Sequence, residues 1–347
     1  MDGLEFGPGV YRSVSLEETE LLEVVTGSRL HFGLLELAAG QPLRFGGLGL
    51  MLEEPGWVLR FSENTNTGGA SPANHTISTD ISERIERVRA NLSQQFGREL
   101  HVRIDVLQAL PMHTGLGAGT QLATAVAFGL SLLTRKTTEP LLEELVQLSG
   151  RGKRSGIGLY GFVRGGLILD EGHATEAVRE IHATSAHLSA DWRVVLITPD
   201  QVGAVTGGHE ASLLERLGQT PNSRRAYMHG LAKQALELAS QTDKFAEFTN
   251  AIQEYVDAAG QLFAAGQGGM YNGQSVSLAV ELAKEAGLRA VGQSSWGPTV
   301  FGFAEKQSEA EQIATKLTAV RPNERWQIRI CTPAHQGATW RWVEGLV

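Results

Sequence analysis

Leu-Pro-Met-His-Thr-Gly-Leu-Gly-Ala-Gly-Thr-Gln-Leu-Ala-Thr-Ala-Val-Ala occupies residues 110–127. Before it, Leu100, Val102, Ile104 and Val106 alternate with His101, Arg103 and Asp105, the period-two pattern of a half-buried strand. Behind it, residues 121–133 are rich in Ala and Leu and carry no charge, so a buried helix is expected from Gln121. Gly115, Gly117 and Gly119 remove the Cβ from alternate positions, which lets the backbone turn sharply and brings its N–H groups close to a ligand. A strand, a glycine loop and a helix N-terminus in that order make an anion site, because free N–H groups and the positive end of the helix dipole point the same way. Phosphate is the expected ligand, held by Gly115, Leu116, Gly117, Ala118, Gly119 and Thr120, with His113 as a further donor. The same residues also suit a tight turn that binds nothing. No Lys-Ser/Thr pair follows the last glycine, which excludes a Walker loop, and the third glycine comes one residue too early for the dinucleotide fingerprint.

The chain has 347 residues, 42% hydrophobic and 20% charged, enough for two domains. No apolar run approaches the ~20 residues of a membrane span, and residues 1–20 lack the basic-then-apolar pattern of a secretory signal. A cytoplasmic protein without a membrane partner is expected. The single cysteine, Cys331, excludes an internal disulfide or a cysteine zinc cluster. A net charge of −8 argues against a nucleic-acid footprint and reserves basic clusters for small anions.

Residues 21–37 alternate loosely around Gly27 and Gly33, and period two places Arg29 and His31 on one strand face. A second glycine-dense stretch follows at 44–50, then a strand at 57–63. Residues 78–96 form an amphipathic helix with Ile81, Ile85, Val88, Leu92 and Phe96 on one stripe. A short helix at 139–148 leads into Gly150-Arg151-Gly152-Lys153-Arg154-Ser155-Gly156-Ile157-Gly158. Three cations within four residues, interleaved with glycine in an acidic chain, suit an anion clamp as well as a solvated face. Residues 162–170 read as a strand ending in Asp170-Glu171, a candidate Mg²⁺ site beside a diphosphate or a simple turn. Residues 173–191 read as a linker, with a domain boundary near 185. Thereafter a strand is expected at 192–198, helices at 209–217, 223–241, 245–265 and 273–286, and strand-like ends around Gly292-Gln293-Ser294-Ser295-Trp296-Gly297-Pro298-Thr299-Val300. A helix at 307–318 and strands at 326–331 and 338–343 close the chain.

Pro111-x-x-x-Gly115-Leu116-Gly117 on a helix N-terminus resembles the phosphate loop of the GHMP kinase superfamily. Residues 29–36, 161–170 and 292–302 look like its N-terminal motif, the strand closing its first domain and its C-terminal glycine motif. The resemblance implies an α+β, two-domain fold: an N-terminal α/β domain related to a ribosomal-protein fold over residues 1–185 and a ferredoxin-like domain over 186–347, with the active site between them. The kinases carry serines where this chain has Ala118 and Gly119. Arg29-Leu30-His31-Phe32-Gly33-Leu34, Phe45-Gly46-Gly47-Leu48-Gly49, the run from Arg151 to Gly158, and Ser294-Ser295-Trp296-Gly297-Pro298 are similar to signatures of a non-kinase branch, the β-ribofuranosylaminobenzene 5'-phosphate synthases.

That branch implies a pentosyltransferase of tetrahydromethanopterin biosynthesis. It joins phosphoribosyl diphosphate to 4-aminobenzoate or 4-hydroxybenzoate with loss of CO₂ and diphosphate, using Mg²⁺, in a homodimer. On this resemblance Arg29, His31, Lys153, Arg154 and Asp170 are the candidate catalytic residues. Arg151 and Ser155 join the glycine loop in binding phosphate, Ser294, Ser295, Trp296 and Gly297 face the aromatic acid, and Glu36 and Asp170 are candidate metal ligands. An ATP-dependent small-molecule kinase and a non-catalytic metabolite sensor on the same fold are the competing expectations.

Overall fold

The computed structural model describes residues 20–35, 45–63, 77–135, 142–150, 155–172, 182–199, 220–320 and 326–344. Strand β1 (Glu20–Leu34) buries Leu22, Val24, Leu30 and Phe32, and pairs antiparallel with β2 (Gly47–Glu63). Its register shifts at Gly27 and between His31 and Gly33. The first shift needs a glycine, since a Cβ on Gly27 would lie 1.8 Å from the Leu52 carbonyl oxygen. Residues 47–50 of the glycine-dense stretch form the first part of β2, with Leu48 and Leu50 buried.

Helix α1 (Thr79–Phe96) buries its expected stripe and ends at Gly97, whose left-handed conformation caps Ser93 and Gln94. Strand β3 (Val102–Gln108) pairs with the end of β2 and runs into the glycine loop. Helix α2 (Ala118–Arg135) starts three residues before the expected Gln121, because the Gly117 carbonyl already accepts from Thr120 and Gln121. It lies on the sheet at Gly129, where a Cβ would meet the Phe61 ring at 2.4 Å.

After α3 (Leu142–Ser149) the structure corrects the sequence expectation. Residues expected as one strand over 162–170 divide into helix α4 (Ile157–Arg164), a turn at Gly165 and Gly166, and strand β4 (Leu167–Asp170). The sequence Ile-Gly-Leu-Tyr-Gly-Phe-Val is apolar on every side and buried on every side, so it shows no period to separate helix from strand. Both turn glycines have positive φ, and a Cβ on Gly165 would meet the Gln336 backbone at 2.3 Å. Part of the expected linker is also strand: β5 (Ala183–Ala186) pairs with β4, and the expected boundary near 185 falls inside it.

The first sheet has the order β10-β1-β2-β4-β5, with β3 also on β2. Its outer strand β10 (Thr339–Glu344) comes from the end of the chain. Buried Glu23 on β1 holds it there, accepting from Arg60 on one side and Arg341 on the other.

The second sheet, β7 (Arg289–Gln293), β8 (Val300–Ala304), β6 (Arg193–Thr198) and β9 (Gln327–Cys331), is antiparallel throughout. Helices α7 (Gln274–Ala286) and α8 (Gln307–Val320) pack Val276, Val280, Ile313 and Leu317 against Val195, Ile197 and Val300. This is the ferredoxin-like arrangement. Helices α5 (Asn222–Leu238) and α6 (Phe245–Gln267) join the larger core, where Phe248 meets Trp192 and Phe303. Phe32 of β1 reaches Phe301 at 4.8 Å, so the two sheets share one aromatic joint. No helix among the described residues is long and apolar enough to cross a membrane.

Candidate active site

The glycine loop is held from two directions. On one side the Arg29 N–H donates to the Leu116 carbonyl at 2.9 Å, as if the loop were a short extra strand on β1. The Arg29 side chain then lies over Gly117, where a Cβ would be 3.1 Å from its Nε. On the other side stands the turn between β7 and β8. The Ser294 hydroxyl accepts from the His31 N–H at 3.0 Å and donates to the Gly115 carbonyl at 2.8 Å, and Ser295 N–H donates to the His31 carbonyl. A Cβ on Gly115 would lie 2.4 Å from the Ser294 carbonyl oxygen. The tertiary structure therefore unites three motifs that the sequence keeps far apart: Arg29 and His31, residues 115–120, and Ser294 to Gly297.

His31 is buried, and its Nδ1 accepts the Gly33 N–H at 3.1 Å. Burial, followed by the neighbouring Arg29 charge, lowers its pKa well below the ordinary imidazole value, so the ring is neutral with its proton on Nε2. His113, with positive φ, points outward to Asp80 at the start of α1, at 3.2 Å. Burial opposes ionisation of Asp80, but Arg84 and His113 together hold its carboxyl below the usual range.

Helix α2 opens at Ala118, and its first N–H groups have no intrahelical acceptor. Helix α4 begins beside it: Thr120 and Gly158 touch so closely that a Cβ on Gly158 would come 2.9 Å from Thr120 Cγ2. Two helix N-termini thus meet at one place, directly after the run holding Arg151, Lys153 and Arg154. Those three cations and Glu36 lie outside the described residues. Ser155 is half-buried and its hydroxyl accepts from the Ile157 N–H.

Asp170 is buried at the end of β4. Its Oδ2 accepts from Gly156 N–H at 2.6 Å and its Oδ1 from Gly172 N–H at 3.0 Å, so both oxygens hold backbone around the start of α4. Burial and the Asp170 charge push the neighbouring Tyr160 phenol up to about 12. Among the described residues no group of three or more His, Cys, Asp or Glu side chains is placed to hold a metal. Trp296 packs edge-on against Phe263 at 4.9 Å, beside Leu34. Burial pushes the Cys331 thiol up to about 12, which makes it a packing residue rather than a nucleophile.

Three supports of the site had no motif of their own. The Tyr255 hydroxyl, reaching in from α6, donates to Gly33 O and accepts from Leu48 N–H. The Gln293 amide accepts from Asn272 N–H and donates to the Ser295 carbonyl, bracing the turn. Gln121 ties α2 to both β1 and α4. A lone glutamine at the start of an otherwise apolar helix is the one such signal visible in sequence.

Comparison with known proteins agrees with this architecture. Residues 83–166 match the GHMP kinases N terminal domain and residues 228–323 the GHMP kinases C terminal. The chain is 29% identical to the beta-ribofuranosylphenol 5'-phosphate synthase of Archaeoglobus fulgidus, over 85% of this chain and 97% of that protein. It is 25% identical to the protein of the same name from Methanothermobacter thermautotrophicus, over 82% and 89%. Among solved structures, homoserine kinase from Cytophaga hutchinsonii superposes with a TM-score of 0.63 at 13% identity, covering 95% of this chain and all of that one. Mevalonate diphosphate decarboxylase from Staphylococcus aureus gives 0.59 at 14%, covering 94% and 98%. At such identities the structures speak for the fold alone. With both domain models matched in order and the fold shared along nearly its whole length, the chain belongs to the GHMP kinase superfamily.

Proposed function

We propose that the protein transfers the phosphoribosyl group of phosphoribosyl diphosphate to a para-substituted benzoate, releasing CO₂ and diphosphate. The relatives' name specifies a phenol product, which corresponds to 4-hydroxybenzoate as acceptor. The observation that carries the reading is the gathering of Arg29, His31 and the turn from Ser294 around the glycine loop, whose helix N-terminus is one of the two anion sites that a donor with two anionic ends needs, the run from Arg151 to Arg154 being the other.

In this reading the ring carbon that bears the carboxylate attacks the anomeric carbon of the ribose. The bond to diphosphate breaks as the new C–C bond forms, and the electrons of the bond to CO₂ return to the ring. Charge grows on the departing diphosphate, so donors already aimed at it lower the barrier. Backbone N–H groups of Ala118 and Gly119, Ser155, and the cations Arg151, Lys153 and Arg154 fill that role. Arg29, beside Gly117, and neutral His31 line the strand side and orient the aromatic acid. The turn from Ser294 to Gly297 closes the opposite wall and fixes the approach. No covalent enzyme nucleophile is needed.

Mg²⁺ fits as a companion of the diphosphate. Both Asp170 oxygens already accept backbone N–H, and such an ion takes most of its ligands from phosphate and water. Glu36 and Asp170 are the candidate ligands, and the ion would neutralise the leaving group. The reaction proceeds in the cytoplasm on small molecules alone.

Release of CO₂ from carboxyl-labelled 4-hydroxybenzoate and 4-aminobenzoate tests the proposal, with Mg²⁺ and with or without phosphoribosyl diphosphate. Donor-dependent release that ATP does not replace is the expected result. No release from either acid would overturn it.

A further inference from the structure

The chemistry above gives no part to Gln121, yet few side chains are placed more deliberately. It sits in the first turn of α2, fully buried, with both ends of its amide satisfied. Its Oε1 accepts from the Thr26 hydroxyl at 2.6 Å, and its Nε2 donates to the Gly158 carbonyl at 2.7 Å. The orientation of the amide follows from its partners, because the Gly158 carbonyl can only accept and the nitrogen must therefore face it. Thr26 lies on β1 immediately before the shift in register at Gly27, and is itself buried. One neutral side chain thus spans a sheet strand and the first turns of two helices.

Packing brings the two helices into contact at Gly158. Gly158 offers no side chain, and its nearest neighbour, the Thr120 methyl, touches bare backbone. The bridge from Gln121 to the Gly158 carbonyl, anchored to the sheet through Thr26, adds a directional link that packing cannot supply. Buried and fully satisfied amide networks are stiff, since each broken bond leaves a polar group without water.

We infer that Gln121 is a positioning residue for the donor: it fixes the phosphate-facing start of α2 against β1 and α4 without touching substrate. The inference rests on the phosphoribosyl-transfer reading and adds to it a determinant of donor affinity. A displacement of about 1 Å between such elements costs on the order of 100-fold in rate when binding groups must act together.

Two full-length variants test it. Gln121→Leu puts an apolar side chain one atom shorter in the same place and removes both hydrogen bonds; Thr26→Val removes only the anchoring hydroxyl. Inorganic diphosphate with Mg²⁺ is the calorimetric probe, alongside KM for phosphoribosyl diphosphate, KM for the acid, and thermal unfolding. The dissociation constant for diphosphate should rise roughly tenfold or more in Gln121→Leu and about threefold in Thr26→Val, with donor KM following and acid KM steady within about twofold. A merely structural role would lower the melting temperature and the active fraction but leave the diphosphate constant and donor KM unmoved, and that result overturns the inference. Should Gln121→Leu fail to fold, unchanged diphosphate affinity in Thr26→Val overturns it equally, as does a wild-type protein that does not bind diphosphate. Wild-type protein that binds diphosphate, loses it in the variants, yet releases no CO₂ refutes the transfer reaction and leaves the positioning role standing.

Discussion

Gly115→Ala and Gly97→Ala together separate the two reasons for which a chain uses glycine. Both positions have positive φ, +84° and +64°, where an L residue costs about 1–2 kcal/mol. At Gly97 a Cβ meets nothing within 4 Å, so the conformational cost is the whole effect. At Gly115 the Cβ would stand 2.4 Å from the Ser294 carbonyl oxygen and 3.1 Å from that of Gly297, both backbone atoms. Restoring an ordinary 3.4 Å contact moves the loop by the difference, 1.0 Å. That shift breaks the hydrogen bond from the Ser294 hydroxyl to Gly115 O and strains the one from Arg29 N–H to Leu116 O. Losing the first costs about 0.5–1.5 kcal/mol and straining the second up to about 0.5 kcal/mol, bringing the total to about 2–4 kcal/mol. For cooperative unfolding of the chain, with an entropy of about 2.1 cal/mol/K per residue, Gly97→Ala lowers Tm by about 2 °C and Gly115→Ala by about 3–6 °C. Calorimetry measures the difference, and donor-dependent CO₂ release should show KM for phosphoribosyl diphosphate raised only in Gly115→Ala. Equal Tm and equal KM in the two variants would refute the argument that the loop is seated against the Ser294 turn.

Three further outcomes follow from buried charges and neutral groups. Burial opposes ionisation of Glu23, but Arg60 and Arg341 hold its carboxyl below the ordinary 4.5, so its stabilisation is present above that pH and is lost as pH falls through the folded value. Urea unfolding from about pH 6 to about pH 3 should therefore show a steeper acid decline in wild type than in Glu23→Gln, and parallel curves would contradict the pairing. His31 has a folded pKa well below 6.5, so its contribution weakens as pH drops below that value; nitrogen NMR at about pH 6 should find the neutral ring protonated at Nε2, and an imidazolium there would be the contrary result. In Asp170→Asn the amide nitrogen faces a backbone N–H that it cannot accept, which costs about 1–3 kcal/mol in urea unfolding. Donor KM should rise with it while acid KM holds, because the loss is at the start of α4; a rise in acid KM alone would place Asp170 elsewhere in the chemistry.

Local chemistry made much of this protein legible in its sequence. The stripe of α1 and the alternation of β3 are periodic, and Gly115 and Gly117 mark a turn that needs positive φ. Arg29 and His31 share a strand face because they lie two positions apart. The segment after the cationic run was misread because α4 is buried all round, and a helix without a polar face carries no period. The start of β2 was hidden for a related reason: its glycines are there to let neighbouring backbone approach, and in sequence they look like a loop.

Which strand, which glycine loop and which turn belong together could not be read from spacing, because their contacts join residues 263 and 179 positions apart. Long-range pairs depend on how the sheets pack, and the Phe32–Phe301 joint that brings the turn to β1 gives no local sign. Gln121 makes the same point within one side chain. Its amide is ordinary in sequence, and it becomes a spacer only when the fold sets a hydroxyl on one side of it and a bare carbonyl on the other. Sequence by itself determined the periodic elements and the glycine turn between β3 and α2, since these follow from propensity and periodicity over a few residues. Tertiary structure alone decided the mutual placement of the two helix N-termini, since that follows from contacts between segments distant along the chain.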